Sequence, residues 1–520
     1  MNDGTVGDNR NHKISKADEI WVLVATILPS SMAFIDSTAL NVVLPSLQEE
    51  FGADGSILLW VINSYTLFLS ALLLSGGAMG DIYGRKKLFT IGIIIFLIGS
   101  LLCGLASSPL ILIVSRCIQG AGGALMVPGS LSILSALFPA ERRGWAIGTW
   151  SMFSAMTTIL GPALGGYLAD IGLWRGVFFI NLPLGVVALL ILAAKVPESR
   201  EQTAKKPDIL GAIAATIALA GITFGFIEAP EFGIDDPLII ASLALGGLSL
   251  IAFLFIQNRI TYPMMPLKLF RSGIFSSTNL MTLFIYAGLA GFLFFFPLNL
   301  IQVQGYSPKI AGFTMLPFGL LISLLSFASG AISDRIGTRL PLIIGPILTA
   351  IGFFLFSITG ITNGPVDYWS AYFPAILLLG IGMGITVAPL TTAVMGAVPD
   401  GNAGIASGVN NTIARTAGVL AIAIMGALAI SSFETSLLER TANIGLSEVQ
   451  LDSLSTSAAK LAEAEPPSDV TAIQKDKIEG AIKHSFLDVF RQSALIATIL
   501  VSISALIAFF TLRPSPRTEK

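Results

Sequence analysis

The sequence is poor in charged residues. They make up only 12% of the 520 residues, whereas hydrophobic residues make up 54%; a soluble domain has roughly a quarter charged residues. A chain of this size with so few charges cannot cover a water-facing surface. The formal net charge of −2, without a basic or RNA-type aromatic cluster, gives no indication of nucleic acid as a partner.

Cysteine and histidine are also scarce, which argues against several kinds of site. Cys103 and Cys117 both lie inside apolar runs, so neither a disulfide framework nor a metal site is indicated. His12 and His484 both lie in polar segments, which argues against a histidine-based metal or catalytic centre. No Gly-Lys pair occurs, so the phosphate-binding loop of an ATP-driven pump is missing. We therefore expect no enzyme activity, no metal and no cofactor.

Long apolar runs dominate what remains, and the mean hydropathy is +0.81. A helix needs about 20 apolar residues to cross roughly 30 Å of hydrocarbon. Since no water satisfies backbone groups there, each run must be a helix, and the predicted fold class is an all-α integral membrane protein. The first run is too long for a cleaved leader. We predict fourteen spans, at residues 21–44, 56–79, 88–106, 110–137, 144–169, 176–194, 209–229, 238–257, 273–300, 309–332, 340–361, 369–395, 404–433 and 487–512.

The distribution of Lys and Arg predicts the orientation. With the N-terminus inside, most of the 30 Lys and Arg residues fall in inner loops and tails, and the short outer loops hold only Arg175 and Lys309. The polar insert 434–484 carries five more, but a loop approaching that length translocates largely regardless of charge. We therefore predict that both termini lie in the cytoplasm and that the protein lies in the cytoplasmic membrane of a bacterium.

Two related charged turns lie about half a chain length apart. GAMGDIYGRKKLF occupies Gly77–Phe89 and GAISDRIGTRLPL occupies Gly330–Leu342, each between two apolar runs, which indicates a duplicated membrane protein. We interpret the turns as a conformational latch between the two halves, although the basic residues alternatively only fix the orientation. The latch residues would be Gly77, Asp81, Gly84, Arg85, Asp334 and Arg335.

Asp36 and Arg116 are charged residues inside the first and fourth spans. At 1.5 Å per residue, Asp36 lies about 22 Å from the inner end of its span and Arg116 about 9 Å below the outer end, so both lie in roughly the same layer. Acids inside a membrane mark ion or substrate paths. We predict that Asp36 carries the proton and that Arg116 adjusts its charge state. The alternative is a permanent ion pair that joins two helices.

Other polar and aromatic residues inside the spans are less decisive. Arg415 lies roughly 16 Å from the inner end of span 13, with Asn411 about a turn earlier; a structural and a transport role are equally open. The partner of Arg415 would be a helix carbonyl or the acid of span 1. Glu228 ends span 7 and either attracts cationic substrates or is a solvated interfacial acid. Phe292 and Phe294–Phe296 in span 9 are expected mostly to face lipid.

Several of these stretches resemble motifs of a known family. Gly77–Phe89 looks like the loop 2–3 signature of the major facilitator superfamily, and Arg116-x-x-Gln119-Gly120 is similar to its helix 4 motif. A third match, to the helix 5 antiporter motif, consists of Gly161, Pro162, Gly165 and Gly166. These small residues predict close helix packing and a kink. A hinge would account for their presence, and generic helix packing accounts for it almost as well.

A particular branch of that superfamily is indicated by three further stretches. Phe34–Pro45, Trp174–Gly185 and Gly404–Arg415 resemble the fourteen-helix drug:proton antiporters. The resemblance covers essentially the whole chain with its motifs in order. It departs at Thr157, where the antiporter motif commonly has glycine, and at Thr338, where the first turn has Arg85.

The resemblance implies two pseudo-symmetric six-helix bundles that face one another across a central cavity, with two extra central helices. The corresponding division of the chain is a cytoplasmic tail (1–20), a first bundle (21–194), a cytoplasmic linker with the extra helices (195–272), a second bundle (273–512) with an extracytoplasmic insert (434–484), and a second tail (513–520).

The resemblance also implies a function. The protein would be a monomeric secondary transporter, surrounded by membrane lipids, that exports lipophilic and mainly cationic drugs, biocides or toxic compounds. The proton gradient would supply the energy by alternating access. Protonation of Asp36 from outside would release the substrate. The alternative is a facilitator of the same fold for a specific metabolite, sugar or anion.

Overall fold

The computed structural model describes residues 16–199, 207–399 and 403–512. Within these ranges all regular structure is helical, and fourteen helices are long and apolar enough to cross a membrane. The predicted fold class and the predicted number of spans are therefore confirmed. The tail 513–520 and most of the tail 1–20 lie outside the described residues. Residues 200–206 of the predicted linker also lie outside them.

We number the membrane helices α1–α14 in chain order. Their bounds are Lys16–Phe51, Gly55–Tyr83, Arg85–Gly104, Pro109–Leu137, Ala140–Asp170, Gly176–Lys195 (in two segments that meet at Ile180), Ile209–Phe232, Pro237–Arg259, Gly273–Val303, Pro308–Thr314 continued by Leu316–Ile336, Arg339–Ser357, Phe373–Gly396, Ala403–Thr441 and Ala472–Thr511.

The helices form two bundles and a pair. Helices α1–α6 pack together, α9–α14 pack together, and α7 and α8 pack on each other, with α7 against α2 and α13. We call the side on which α2 ends at Tyr83 the basic side, because residues 85–87 follow there. The other side is called the insert side, because residues 434–484 lie there.

Glycines on α4 bring α2 and α3 close to it. A Cβ at Gly120 would collide with the backbone carbonyl of Tyr65 on α2, and one at Gly122 would collide with the backbone of Phe96 on α3. Small residues allow such close approach of helices in a membrane. The three backbones therefore hold the side chains of α2, α3 and α4 within reach of one another.

The phenylalanines of α9 are buried, so the expectation that most of them face lipid is wrong. Phe292 and Phe294–Phe296 are at most 1% exposed. Phe292 and Phe296 pack edge-on or tilted against Phe356 and Phe490, with ring centroids between 4.7 and 6.3 Å apart. The expectation failed because α9 contacts α13 and α14 and also borders the first bundle, so more than one of its faces is buried.

The insert is a folded layer over the ends of the helices. Helices α13 and α14 continue beyond their predicted spans, and the chain between them forms a helix at Glu448–Ala458 and a 3₁₀ turn at Leu461–Glu463. Leu454 and Leu461 are buried in the main hydrophobic core. The insert is therefore anchored by apolar contacts to the bundles.

On the insert side the two bundles touch through α5 and α10. A Cβ at Gly166 would collide with the backbone carbonyl of Pro308, and one at Gly312 would collide with the carbonyl of Pro162. These contacts leave no space between the insert-side halves of the two helices. The molecule is closed on the insert side.

On the basic side α5 has separated from α10. In the half of α5 nearer the basic side, the exposed residues cover more than half of the circumference of the helix, so they include a face other than the one toward lipid. On α10, Leu320 and Leu324 are 55% and 70% exposed. The cavity between the bundles therefore opens toward the basic side. These exposed residues of α5 include Trp145, Gly148, Ser151, Met152, Phe153 and Met156.

Candidate transport site

The structure brings Asp36 of α1 and Arg116 of α4 together in an ion pair. Arg116 Nη1 donates to Asp36 Oδ2, and the two side chains are 1% and 0% exposed. Gln119 completes the group, since its Nε2 donates to Asp36 Oδ1 at 2.8 Å and its Oε1 accepts from Arg116 Nη1 at 2.7 Å. Both carboxylate oxygens are thus bound, as a buried ion pair requires.

Helix α2 contributes the remaining contacts of Arg116. Arg116 Nε donates to the carbonyl of Val61 at 3.2 Å. The guanidinium carbon lies 4.3 Å from the centroid of the Tyr65 ring, where the negative face of the ring attracts the cation. Arg116 is therefore fixed by α1, α2 and its own helix.

A chain of hydrogen bonds continues from Gln119 to α3 and α6. Gln119 Nε2 also lies 3.3 Å from Ser100 Oγ, which accepts from Asn181 Nδ2 at 2.9 Å. Ser100 in turn donates to the carbonyl of Phe178 at 2.9 Å. All three polar side chains are buried. The network therefore joins α1, which carries Asp36, to α2, α3, α4 and α6 of the first bundle.

Helix α5 packs directly against the segment of α1 that carries Asp36. A Cβ at Gly161 would collide with Thr38 Oγ1, and one at Gly165 would collide with the carbonyl of Ala39. The next residue of the same motif, Gly166, faces α10. The predicted hinge residues therefore link the acid to the closed contact between the bundles.

Arg415 lies apart from this ion pair. Of the two partners considered for it, the acid of span 1 is bound by Arg116, and no helix carbonyl accepts from Arg415 within the described part of the chain. Asn411 is exposed and donates to the carbonyl of Ser407 at 3.0 Å. Asn410, by contrast, bonds α13 to α9 through Asn279 and Thr282.

Glu228 lies on the insert side, separate from the Asp36 site. Its Oε1 accepts from Trp60 Nε1 at 2.6 Å, so it joins α7 to α2. Both residues border an open cavity of about 550 Å³ at the ends of α2, α4 and α7. The carboxylate is half-buried and is neither a core acid nor a freely solvated one.

The first charged turn contacts the chain that follows α6 in its own bundle. Gly84 has φ +111°, and a Cβ there would lie 2.8 Å from the carboxyl carbon of Glu198. That carboxylate accepts from the backbone N–H groups of Lys86 and Lys87 at 2.9 and 3.0 Å, at the N-terminus of α3. The backbone N–H of Arg85 donates to the carbonyl of Ser199 at 2.8 Å.

The other predicted latch residues give less information. Gly77 is unremarkable, because a Cβ there would only contact Pro128 at 3.5 Å. The side chains of Asp81, Asp334 and Arg335 lie outside the described part of the structure. The latch between the halves stays a prediction.

Sequence reasoning missed the contacts of three members of the buried network: Gln119, Ser100 and Tyr65. Gln119 lies three residues after Arg116, which places both on one face of α4 and was a usable signal. Ser100 and Tyr65 carry no signal in the sequence, because their roles depend on which helices are neighbours. The same holds for Glu198, since its partners precede it by more than a hundred residues.

Comparison with known proteins identifies the family. Residues 27–422 match the model of the Major Facilitator Superfamily, and the chain belongs to this superfamily. The chain is 31% identical over 416 residues to the multidrug resistance protein Stp of Mycobacterium tuberculosis (strain CDC 1551 / Oshkosh), covering 79% of this chain and 76% of that protein. It is 29% identical over 498 residues to the tetracenomycin C resistance and export protein of Streptomyces glaucescens, covering 95% and 92%.

Solved structures share the fold. A bacterial homolog to the human lysosomal transporter Spinster, in an inward-facing and occupied conformation, superposes with a TM-score of 0.67 at 19% identity and covers 96% of this chain and 100% of that one. A D-xylose–proton symporter superposes with a TM-score of 0.58 at 15% identity, covering 96% and 98%. The resemblance that the motifs indicated is therefore confirmed at the level of the superfamily.

Proposed function

We propose that the protein is a proton-coupled antiporter that exports hydrophobic small molecules, such as drugs and other toxic compounds, across the cytoplasmic membrane. The names of its relatives support export, since they are multidrug and antibiotic resistance proteins. The Lys and Arg distribution supports an orientation with the basic side and both termini in the cytoplasm. In that orientation the structure is in an inward-facing state. The protein acts as a monomer among membrane lipids.

The observation that carries the proposal is the position of Asp36. Its carboxylate is fully buried and bound by Arg116 and Gln119. Thr38 and Ala39, two and three residues further along α1, touch the glycines of α5. A single proton on Asp36 removes the negative charge that holds this group together. Its position beside the α1–α5 contact supports a role in which a change of charge on Asp36 moves that contact.

The transport cycle follows from that coupling. In the inward-facing state the ionised Asp36 holds Arg116, and substrate enters the cavity from the cytoplasm. When α5 and α10 separate on the insert side, a proton from outside neutralises Asp36 and substrate leaves. Return to the inward-facing state delivers the proton to the cytoplasm. The difference in substrate affinity between the two protonation states supplies the coupling free energy, and the proton gradient supplies the energy.

Hydrophobic compounds are the substrate class that the cavity supports best. The resemblance also suggests cations, which need a negative group at the site. Within the described membrane segments, both oxygens of Asp36 are occupied by hydrogen bonds. Glu228 lies at the insert side, where it borders a separate cavity and not the cavity between the two bundles. Cationic substrates would therefore depend on Asp36 being released from Arg116.

Purified protein in proteoliposomes with an imposed pH gradient tests the proposal. Gradient-driven accumulation of a hydrophobic dye is expected for the wild type and is lost in Asp36→Asn. Asp54→Asn is the matched control, because Asp54 caps the N-terminus of α2 and asparagine caps a helix equally well. Dye flux that does not depend on the pH gradient would instead support a facilitator.

A further inference from the structure

Arg415 lies between the two bundles at mid-membrane. Nearer the basic side than Arg415, a Cβ at Gly408 of α13 would lie 3.2 Å from Leu74 of α2. Nearer the insert side, a Cβ at Gly426 of α13 would touch Leu59 of α2. Because α2 and α13 run antiparallel, Arg415 is level with a point between these contacts, within about one helical turn of Tyr65.

The neighbouring helix on the other side is α9. A Cβ at Gly418 would lie 3.3 Å from Ala290 Cβ, and Asn410 bonds to Thr282 at 2.7 Å. Tyr286 lies one turn from each of these contacts and is partly exposed. Arg415 therefore has an aromatic residue of each bundle at its level.

No protein group neutralises Arg415 within the described ranges. Neither a hydrogen bond nor an ion pair of its guanidinium occurs there, although Arg491 of α14 bonds the carbonyl of Thr359 at 2.8 Å. A charged side chain inside a membrane is costly and pairs with another group or marks a substrate path. The side chain is partly exposed, and Asn411, one turn nearer the basic side, is exposed. Arg415 is thus accessible from the open cavity.

The helices around Arg415 supply no acid. Residues 55–80, 273–303, 308–330 and 405–433 contain no Asp or Glu. The remaining acid at this depth, Asp36, is bound by Arg116 and Gln119. The cavity therefore presents an unneutralised cation to any compound that enters it.

We infer that Arg415 binds an acidic group of the substrate, so that the preferred substrates are hydrophobic aromatic compounds with a carboxylate or an ionised phenol. This inference rests on the proposed function, because it assigns the substrate class of the same cavity. A guanidinium forms strong, charge-assisted hydrogen bonds to carboxylates, and partly exposed Tyr286 offers a ring for stacking. Cations of the same shape are repelled.

Two xanthene dyes of opposite charge test the inference. Binding of fluorescein, an anion, and rhodamine 6G, a cation, is measured on purified protein in detergent without a gradient. Wild-type protein is expected to bind fluorescein at least about tenfold more tightly, as loss of one charge-assisted hydrogen bond is worth about that factor. Arg415→Gln loses this preference, whereas Arg415→Lys keeps part of it. Arg491→Gln, an arginine bound to a backbone carbonyl, leaves the preference unchanged.

The outcomes separate this inference from the proposed function. Wild-type preference for rhodamine 6G, or an equal loss of both dyes in Arg415→Gln, overturns the role of Arg415. Gradient-driven transport of dye by the wild type would then still support the antiporter. Conversely, a charge preference that depends on Arg415, without gradient-driven transport, supports the anion site and overturns proton coupling.

Discussion

Gln302 of α9 donates from Nε2 to Gln48 Oε1 of α1 at 2.9 Å and so joins the two bundles on the insert side. The same Nε2 lies 3.0 Å from Glu463 Oε1 of the insert, and Gln48 Nε2 donates to the carbonyl of Lys460 at 2.8 Å. The backbone N–H of Gly55 donates to the carbonyl of Ala459 at 2.8 Å. The insert therefore bridges both bundles and must release at least one of them when this side opens.

Removing the bridge should favour opening of the insert side. Gln302→Ala deletes two of the hydrogen bonds, each worth about 0.5–1.5 kcal/mol, so the open state should be populated roughly 5- to 150-fold more. A cysteine at Ala311, which is 3% exposed, should react correspondingly faster with a membrane-impermeant maleimide in a background without the native cysteines. Gln304→Ala is the control, since the side chain of Gln304 bonds, among the described residues, to residues 360 and 362 of the second bundle. Equal labelling of the two variants would contradict the bridge.

Docking of the insert should be stronger at acidic pH. Burial raises the pKa of Glu463 above 4.5, with Glu49 and Glu465 adding to the rise, while Gln302 and Lys460 oppose it. Glu463 therefore binds its proton more tightly when the insert is docked than when it is released. The resulting stabilisation of the docked insert is complete below pH 4.5 and is lost as the pH rises through the raised pKa. Labelling at Ala311→Cys should increase over that interval.

Glu463→Gln should abolish this pH dependence and keep labelling low at neutral pH, because the neutral amide still accepts from Gln302. Glu439→Gln is the control, because Glu439 is exposed and is not among the groups that shift the pKa of Glu463. A pH dependence that survives in Glu463→Gln would show that another group titrates. The labelling rates should be corrected for the pH dependence of a model thiol.

A methyl group at Gly166 should force α5 away from α10. The added Cβ would collide with the carbonyl of Pro308, and overpacking costs about 1–3 kcal/mol. Gly166→Ala should therefore destabilise the inward-facing state and lower the export rate about tenfold or more in vesicles. Gly148→Ala on the same helix should have little effect, because a Cβ there meets nothing within 4 Å. Similar export by both variants would show that the α5–α10 contact is not limiting.

Glu198 should contribute to the stability of the first bundle. Its carboxylate accepts two backbone N–H groups at the N-terminus of α3, where an anion also interacts favourably with the helix dipole. Glu198→Ala is expected to cost about 1–2 kcal/mol and to lower the melting temperature in detergent, while Glu198→Gln should cost less. Glu231→Ala, which removes an exposed acid from the last turn of α7, is the control. An unchanged melting temperature in Glu198→Ala would contradict this role.

The membrane helices were predictable because length and hydropathy determine them. The common depth of Asp36 and Arg116 followed from helix rise alone. The neighbours of each helix did not follow, since fourteen similar apolar helices can pack in many arrangements. For that reason the phenylalanines of α9 were assigned to lipid, and Tyr65, Ser100 and Glu198 were not recognised.

Coupling of substrate movement to the proton should depend on Asp36. Asp36→Asn removes the proton site while the amide still bonds to Gln119 through its oxygen. In proteoliposomes, Asp36→Asn should therefore retain dye exchange between equal concentrations on both sides, within about a factor of a few of the wild type, and lose accumulation driven by a pH gradient. Accumulation at the wild-type rate, at equal protein content, would contradict the account.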